Sequence, residues 1–414
     1  MVTKIKIRGV FPCLGFGALF FSGCANIPKK TASEAWEVQR RLSEKEQLLS
    51  LCQSNGVGDH PENKEILEEI FNRSKNFDYK VRLVPLAEVG ISSFFQGFYD
   101  ISKLALDEAI DIIESKTSQS VSKKVLSVSG KEQEKVFKGE PFERAFIYFL
   151  RGLIYLNEGD FGNARACFKS AQIQDYRHDG KSAKWGDWPS LRFAEELTYF
   201  FQDGRGVDKG KVGVPKDLSF QFPSGNENLL YVIACGSAPQ KIQENTKEKF
   251  ELSYWPGITK IEKIIGYGVR GDLPVFSFGK PSEDLFVQAV SHGRREMDKV
   301  LMAKELYYKS KVSTGNAAEG VAFVSSQFGI WGLPVTLGAA LLTLSSRKEA
   351  LRVQKAADLR QIFGIPYRIY MGVAPVGKSL KVIGRNKEGK IIFEKDIDIS
   401  GQRKVNLVAV RIFL

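Results

Sequence analysis

The stretch EPFERAFIYFLRGLIYLNEGDFGNARACFKSAQIQD, from Glu140 to Asp175, predicts a helical hairpin. Apolar residues recur every three to four positions on both sides of Asn157-Glu158-Gly159-Asp160, as amphipathic helices require. Gly159 stands where a helix commonly ends, because glycine adopts the left-handed conformation without steric cost. Two antiparallel helices joined by a short turn are therefore expected between these residues.

The hairpin resembles a tetratricopeptide repeat, in which large residues fill the seam between two helices and small residues let them approach closely. The resemblance is carried by Tyr148, Gly152, Tyr155, Gly159, Phe161, Ala164, Phe168 and Ala171. Arg151 departs from the family's usual leucine and Tyr176 from its frequent proline. A weaker upstream copy comprises Gly90, Gly97, Tyr99, Leu106 and Ala109, too far from the hairpin for tandem repeats of about 34 residues.

By this resemblance, the first helix of the hairpin lines a concave groove that receives a peptide or a segment of another protein. The implied partner-binding residues are Phe149, Leu153, Leu156 and Asn157. The residues also allow a simpler interpretation, in which the three apolar side chains pack against neighbouring helices as core.

The N-terminus has the order of a secretory signal peptide. Three basic residues precede an uncharged stretch from Gly9 to Gly23, which is too short to span a bilayer comfortably. Phe21-Ser22-Gly23-Cys24 resembles the lipobox of bacterial lipoproteins, although Phe21 stands where an aliphatic residue is usual. This resemblance implies cleavage before Cys24 and lipidation of its sulfur; the alternative is an uncleaved anchor. Ala25 follows, and in enterobacterial lipoproteins the absence of Asp there accompanies export to the outer membrane.

Composition and charge narrow the class of protein. The 414 residues are 43% hydrophobic and 26% charged, so the chain can bury a core. The net charge of +12 suits anionic lipid or a polyanionic cell-wall polymer, or is a solvated surface without a partner. A lipoprotein outside the cytoplasm has little access to nucleic acid, so none is expected. Cys52, Cys167 and Cys235 leave room for one disulfide that their spacing does not assign.

Helical periodicity predicts further helices after Thr31, over Asn63 to Arg73, over Ser190 to Gln202 and over Glu283 to Ser310. Alternating apolar residues predict strands at Leu229 to Ala234, Phe250 to Tyr254 and Leu273 to Phe278. Four more strands are expected to form one small antiparallel sheet: Arg368 to Val373, Leu380 to Gly384, Ile391 to Ile397 and Val405 to Phe413.

The predicted fold class is α+β: an N-terminal α-helical, tetratricopeptide-like repeat domain, then β-rich domains with an intervening helical and apolar segment. The predicted parts are a signal peptide (1–23), a lipid-anchored linker and helix (24–60), the helical repeat domain (61–205), a β-rich region (215–282), a helical region (283–363) and an antiparallel β region (364–414). Residues 320–346 carry no charge and are long enough to span a membrane. Glycines and Pro334 interrupt them, which favours a buried or membrane-surface hairpin.

No chemistry stands out among the motifs. Gly372 to Ser379 matches the P-loop expression GxxxxGKS, but a P-loop needs a helix directly after its Lys-Ser pair, and strand-like residues follow here. We therefore expect a chance match and no ATPase. The three histidines lie far apart in sequence, and the polar-aromatic loop from Asp175 to Trp188 is either a ligand site or, preferably, a packed connection. No catalytic, cofactor-binding or metal-binding residue is predicted.

The lipobox and three short motifs resemble a family of uncharacterised bacterial envelope lipoproteins with tetratricopeptide-like helices. The motifs are Pro141-Phe142-Glu143-Arg144, Gly236-Ser237-Ala238-Pro239 and Ala357-Asp358-Leu359-Arg360. The resemblance implies a location at the outer membrane, facing the periplasm, and it implies no activity. The predicted function is a membrane-anchored, non-enzymatic scaffold that binds an envelope protein or peptide. The alternatives are an enzyme or enzyme activator acting on cell-wall polymer, and a pore or secretion component that inserts residues 320–346.

Overall fold

The structure is a computed structural model that describes residues 61–115, 135–175, 188–225, 227–245, 250–268, 273–291, 358–375, 377–399 and 404–413. All of them belong to one unit of the chain, Leu48–Leu414, and the second unit, Met1–Gln47, lies outside the described residues. The predicted lipidation site Cys24, the helix after Thr31, the segment 320–346 and most of the loop after Asp175 also lie outside them.

The helices within the described ranges are α1 (Pro61–Ser74), α2 (Leu83–Phe95), α3 (Tyr99–Glu114), α4 (Pro141–Glu158), α5 (Phe161–Asp175), α6 (Pro189–Asp203), the one-turn α7 (Lys209–Val212) and α8 (Leu285–Ser291). Helices α1, α4, α5 and α6 confirm predicted helices to within two residues. Helix α8 begins two residues later than predicted because Glu283–Asp284 form a short strand. The rest of that predicted helix, to Ser310, lies outside the described residues.

Helices α4 and α5 form the predicted hairpin, and α2 and α3 form a second one. Gly159 ends α4 in the left-handed conformation, with φ of 81°, and Asp160 N donates to Tyr155 O at 2.9 Å. Gly97 takes the same conformation between α2 and α3, with φ of 82°. Both turns require a backbone that other residues rarely adopt, so glycine fixes where each first helix ends.

Small residues allow close approach in the seam of each hairpin. A methyl group at Gly152 would lie 2.5 Å from the Phe168 ring, and one at Gly90 would lie 2.7 Å from Leu106 Cδ2. Real atoms do not approach so closely without displacement. The seam packing that the sequence predicted is therefore present in both hairpins.

We expect Gly152→Ala to lower the free energy of unfolding by about 1 to 2 kcal/mol, because the overlap with buried Phe168 outweighs alanine's higher helix propensity. Gly162→Ala is the matched control: its added methyl meets only Asp160 Oδ1, at 3.8 Å. Urea unfolding followed by circular dichroism measures both. Equal stability of the two variants would contradict the steric argument.

The strands are β1 (Leu229–Cys235), β2 (Gln240–Asn245), β3 (Phe250–Trp255), β4 (Lys263–Gly268), β5 (Pro274–Phe278), β6 (Glu283–Asp284), β7 (Arg368–Ala374), β8 (Ser379–Arg385), β9 (Ile391–Asp398) and β10 (Asn406–Ile412). They form three sheets within the described residues, with strand orders β10-β1-β7-β6, β5-β4-β8-β9 and β2-β3. We call the first the central sheet and the second the outer sheet. The fold is thus mixed helix and sheet, consistent with the α+β class.

The central sheet is buried on both faces, and β1 shows why. Its residues alternate in direction, as strand geometry requires. Leu230, Val232 and Ala234 belong to a core shared with helices α1 to α6. We call these six helices the helical layer. Leu229, Tyr231, Ile233 and Cys235 belong to a second core shared with the outer sheet. Such a strand reads as a continuous apolar run, which is the pattern of LLYVIAC.

The prediction of one antiparallel sheet at the C-terminal end was wrong, although its four strands were placed within two residues. Strands β7 and β10 flank β1 in the central sheet, with β7 antiparallel and β10 parallel to it. Strands β8 and β9 join β4 and β5 in the outer sheet. Residues from the two predicted β regions, 215–282 and 364–414, therefore share both sheets, because each region alone leaves its apolar strands unpaired.

Candidate functional site

The four residues predicted to line a groove lie in the interior. Phe149, Leu153 and Leu156 are fully buried, and Asn157 is 6% exposed. Leu407 N of strand β10 donates to Asn157 Oδ1 at 3.2 Å, and Leu407 O accepts from the Tyr99 hydroxyl at 3.4 Å. Phe149 lies beside Phe168 of α5, with ring centroids 6.3 Å apart, and the three apolar residues belong to the core that the helices share with one face of the central sheet.

The P-loop-like residues begin in one strand and end at the start of the next, and residue 376 between them lies outside the described residues. Gly372 is inside β7, and Ser379 is the first residue of β8. A P-loop holds phosphate with the amides at the start of a helix, and the chain continues as a strand after Lys378-Ser379. The described geometry at this motif is therefore not that of a nucleotide site.

Three of the motifs that carry the family resemblance meet at one place. We call residues 358–366 the strap; it leads into β7 and lies between the helical layer and strand β2. Glu143, of the motif in α4, accepts a hydrogen bond from Ile362 N of the strap at 2.8 Å through Oε1. Its other oxygen accepts from Glu140 N at 2.6 Å, so one carboxylate both caps α4 and holds the strap.

A second buried carboxylate, from α2, holds the next part of the strap. Glu88 Oε1 accepts from Phe363 N and from Gly364 N, the latter at 3.1 Å. Glu88 is 6% exposed and Glu143 is 1% exposed. Backbone N–H groups of an irregular segment need acceptors when they are buried, and the two carboxylates supply them.

Lys241 of β2 completes this arrangement from the other side. Its Nζ lies 2.9 Å from Glu140 Oε1 and donates to Arg360 O at 3.0 Å. Its backbone N donates to Gln361 Oε1 at 2.6 Å. The Lys241 side chain is fully buried, so the ion pair with Glu140 is shielded from water.

Two arginines fix the ends of the strap. Arg360 contacts Asp358 with two nitrogens, at 2.8 and 2.6 Å, and donates to Lys80 O at 2.7 Å and to Lys135 O at 3.0 Å. Arg411 of β10 donates to Gly236 O, of the motif Gly236-Ser237-Ala238-Pro239, at 2.8 Å and to Ile365 O at 3.3 Å. The three motifs therefore build one polar cluster that fastens the strap to the helical layer.

Burial sets the protonation of the two carboxylates. Desolvation raises the pKa of Glu88 to about 7 and that of Glu143 to about 7, although the backbone hydrogen bonds oppose the shift in both. Lys241 also opposes the shift at Glu143, and Arg411 opposes it at Glu88. Both groups therefore change charge near neutral pH.

Stability is expected to fall as the pH rises from about 5 to about 8. Unfolding returns both carboxyls to their ordinary pKa of 4.5, so their contribution is complete below that pH and is lost as the pH passes through about 7. Each group contributes a slope of at most about 1.4 kcal/mol per pH unit. Urea unfolding at several pH values measures the slope.

Glu88→Gln provides the control for this pH dependence. The amide oxygen can still accept from Phe363 N and Gly364 N, while the ionisable group is gone. The free energy of unfolding is therefore expected to fall less steeply between pH 5 and 8, by about the contribution of one carboxyl group. An unchanged slope in this variant would show that other groups cause the dependence.

A second buried carboxylate cluster lies where α6 begins. Glu283 of β6 accepts from Ser190 N at 3.2 Å and from Gln288 Nε2 at 2.8 Å. Burial raises the pKa of Glu283 well above its ordinary value, and Asp175 adds to the rise. Ser190 Oγ donates to Ser282 O at 3.3 Å. This cluster ties α6 to the central sheet beside Asp175 and Trp188, the two ends of the polar-aromatic loop that the sequence singled out.

Metal ligands, thiols and membrane spans are the other features relevant to function among the described residues. These residues contain no group of three or more His, Cys, Asp or Glu side chains arranged to hold a metal ion. Cys167 and Cys235 are free thiols, and burial raises their pKa values to about 11 and about 12, which keeps them protonated. Within the described part of the chain, no helix has the length and apolar character needed to cross a membrane.

Sequence reasoning missed Glu88 and found Glu143 only as part of a motif. The signal for Glu88 was present, because it is the single charged residue in LVPLAEVGISSFF, the sequence of α2. A lone charge in an apolar helix needs a specific partner, here the amides of the strap. Strap residues more than 200 positions later in the chain carry no pattern that would name those amides in advance.

No protein-family model, curated protein or solved structure matches the chain. The resemblance to envelope lipoproteins therefore rests on the sequence motifs alone.

Proposed function

We propose that this protein is a lipid-anchored, non-enzymatic interaction protein of the bacterial cell envelope. Lipid on Cys24 holds it at a membrane, at the outer membrane facing the periplasm. Its two helical hairpins, which resemble tetratricopeptide repeats, present the partner-binding surfaces. An envelope protein or peptide is the partner class.

The contacts made by the buried carboxylates are the observation that favours this proposal over a cell-wall enzyme. Such an enzyme needs two carboxyl groups that converge on a cleft open to its polymer. Glu88 and Glu143 instead point at backbone amides of the strap, and Glu140 pairs with Lys241. Glu283 is bound to Ser190 and Gln288. These carboxylates hold the fold together, which favours a scaffold.

Burial of the predicted groove changes where a partner can bind. Phe149, Leu153 and Leu156 are fully buried, so we place the partner on the outward faces of the helices instead. Leu104 of α3 is 56% exposed and Ile173 of α5 is 63% exposed. These two positions report on the outward helical surface without any change to the core.

Site-specific photo-crosslinking in native membranes tests this proposal. A photoreactive residue is placed at Leu104 or Ile173, and at Ile258 or Leu273, which are exposed residues on loops between strands. We expect one discrete protein partner at a helical position and none at the loop positions. A partner only at the loop positions would refute binding by the helices, and no partner at any position would refute the scaffold.

The lipid anchor has its own test. Mass spectrometry of the N-terminal peptide from membranes is expected to begin at Cys24 with a diacylglyceryl mass on its sulfur. Cys24→Ala is expected to abolish this modification. An N-terminal peptide that retains residues 1–23 in the unsubstituted protein would support the uncleaved anchor instead.

A further inference from the structure

Three cations gather at the C-terminal end of α6. The Arg165 guanidinium carbon lies 4.7 Å from the centroid of the Tyr199 ring, and that of Arg205 lies 4.0 Å from it. Arg165 Nη1 also donates to Gln202 Oε1 at 2.7 Å, and Lys404 Nζ donates to Gln202 O at 3.2 Å. Arg165, Arg205 and Lys404, which we call the α6 basic cluster, thus meet around Tyr199 and Gln202.

The positive charge of this cluster is not balanced by a neighbouring carboxylate. Within the described ranges, no Asp or Glu oxygen lies within 4.0 Å of the charged nitrogens of these three side chains; their contacts are with rings and neutral oxygens. Some other cations of the helical layer are paired with a carboxylate, as in Lys64–Asp100 at 2.8 Å and Lys103–Glu158 at 3.1 Å. Two guanidinium groups on one ring repel each other, so an added anion would stabilise the arrangement.

Further cations follow the cluster in the sequence. The segment that follows α6, residues 204–217, carries Arg205, Lys209, Lys211 and Lys216 against Asp208 and Asp217, and Lys211 pairs with Glu196 at 3.6 Å. Lys209 Nζ lies 5.1 Å from the Phe222 ring, and Lys404 Nζ lies 5.1 Å from the Phe161 ring. Each of these two lysines therefore lies beside a half-buried aromatic ring.

We propose that the α6 basic cluster is a membrane-docking surface that binds the phosphates of anionic phospholipid head groups. This inference rests on the proposed function in one respect, since a lipid at Cys24 would confine the protein to a membrane surface. Guanidinium groups bind phosphate oxygens with two parallel hydrogen bonds, and lysine adds a point charge. Aromatic rings beside the cations suit the interface between head groups and acyl chains. A soluble polyanion offers the phosphates or carboxylates but no such interface, so the rings favour the lipid.

Lysine labelling on vesicles tests the docking surface. The full chain is bound to phosphatidylglycerol-containing vesicles or to phosphatidylcholine vesicles and treated with an amine-reactive reagent, and each lysine is quantified by mass spectrometry. We expect labelling of Lys404 and Lys209 to fall severalfold on the anionic vesicles. Lys387 and Lys390, exposed in the turn between β8 and β9, are expected to react equally on both. Equal labelling of Lys404 on the two vesicle types would overturn the proposal.

Charge removal provides the second measurement. The triple variant Arg165→Gln, Arg205→Gln and Lys404→Gln is compared with Lys378→Gln, Lys387→Gln and Lys390→Gln, which removes three exposed cations from the outer sheet. At low salt, each cation at an anionic surface contributes about a fivefold factor, so the first variant is expected to bind anionic vesicles about a hundredfold more weakly. The control variant is expected to bind like the unsubstituted protein, and binding is expected to weaken with salt.

Each other outcome of the vesicle experiment overturns the inference. Equal losses in both variants would show that net charge alone drives binding. Cluster-dependent binding of a soluble polyanion, without binding to vesicles, would assign the surface to a polymer. If Arg165→Gln alters the circular dichroism spectrum, the double variant Arg205→Gln and Lys404→Gln replaces the triple one, because both of its positions are exposed.

The outcome for the cluster is distinguishable from the outcome for the proposed function. The labelling pattern and the comparison between variants do not require an acylated Cys24. If Cys24 of the native protein carries no acyl group but the chain docks through the cluster, the anchor is refuted and the docking surface is retained. If Cys24 is acylated but Lys404 is labelled equally on the two vesicle types, the docking surface is refuted and the anchor is retained.

Discussion

Leu153→Glu is expected to unfold the helical layer. Leu153 is fully buried on α4, in the core formed with the central sheet. An isolated carboxylate there has neither water nor a cation, so the loss should exceed about 4 kcal/mol, which approaches the whole stability of many domains. Urea unfolding by circular dichroism and tryptophan fluorescence measures it.

Leu104→Glu is the matched control for this substitution. Leu104 lies on α3 with 56% of its surface exposed, so the same chemical change should alter stability by less than about 0.5 kcal/mol. If Leu153→Glu remained folded with a similar stability, the face would be open to solvent and the groove interpretation would regain support.

Lys241→Met is expected to destabilise the protein by about 3 to 5 kcal/mol, because it leaves Glu140 without its buried cation. The strap also loses the bond from Lys241 Nζ to Arg360 O. Chemical unfolding measures the loss, and protease cleavage near residue 360 reports on release of the strap.

A double-mutant cycle separates the ion pair from the packing. Adding Glu140→Gln to Lys241→Met removes the uncompensated charge, so the double variant should recover part of the lost stability. Lys381→Met, at an exposed pair with Glu394, is the control and should show no measurable change. Strict additivity of Lys241→Met and Glu140→Gln would show that the pair does not couple.

The elements that the sequence predicted well are those that local pattern determines. Apolar spacing and the stop at Gly159 located α4 and α5, and LLYVIAC located β1. The close approach at Gly152 also followed from local spacing, since Gly152 and Phe168 lie in consecutive helices joined by one short turn. Helix boundaries agreed within two residues because caps and glycines act over short distances.

The arrangement of strands in sheets was beyond the sequence. Periodicity tells which face of β10 is apolar, but it does not say that the strand lies parallel to β1. The burial of the four groove residues was beyond the sequence for a related reason. An apolar stripe on α4 has the same pattern whether a peptide or the chain's own core covers it. The polar cluster around the strap likewise joins residues that only the tertiary fold brings together.

The pairing of β1 with β10 also constrains how the chain folds. Leu229 lies opposite Asn406, 177 residues later in the chain, and the two strands are neighbours in the central sheet. Such a distant pair forms late and slows folding, because a long loop must close first. Until β10 arrives, one edge of β1 and a row of apolar side chains on both faces stay open to aggregation. The folding chain therefore exposes apolar surface for longer than a helical repeat protein of local contacts would.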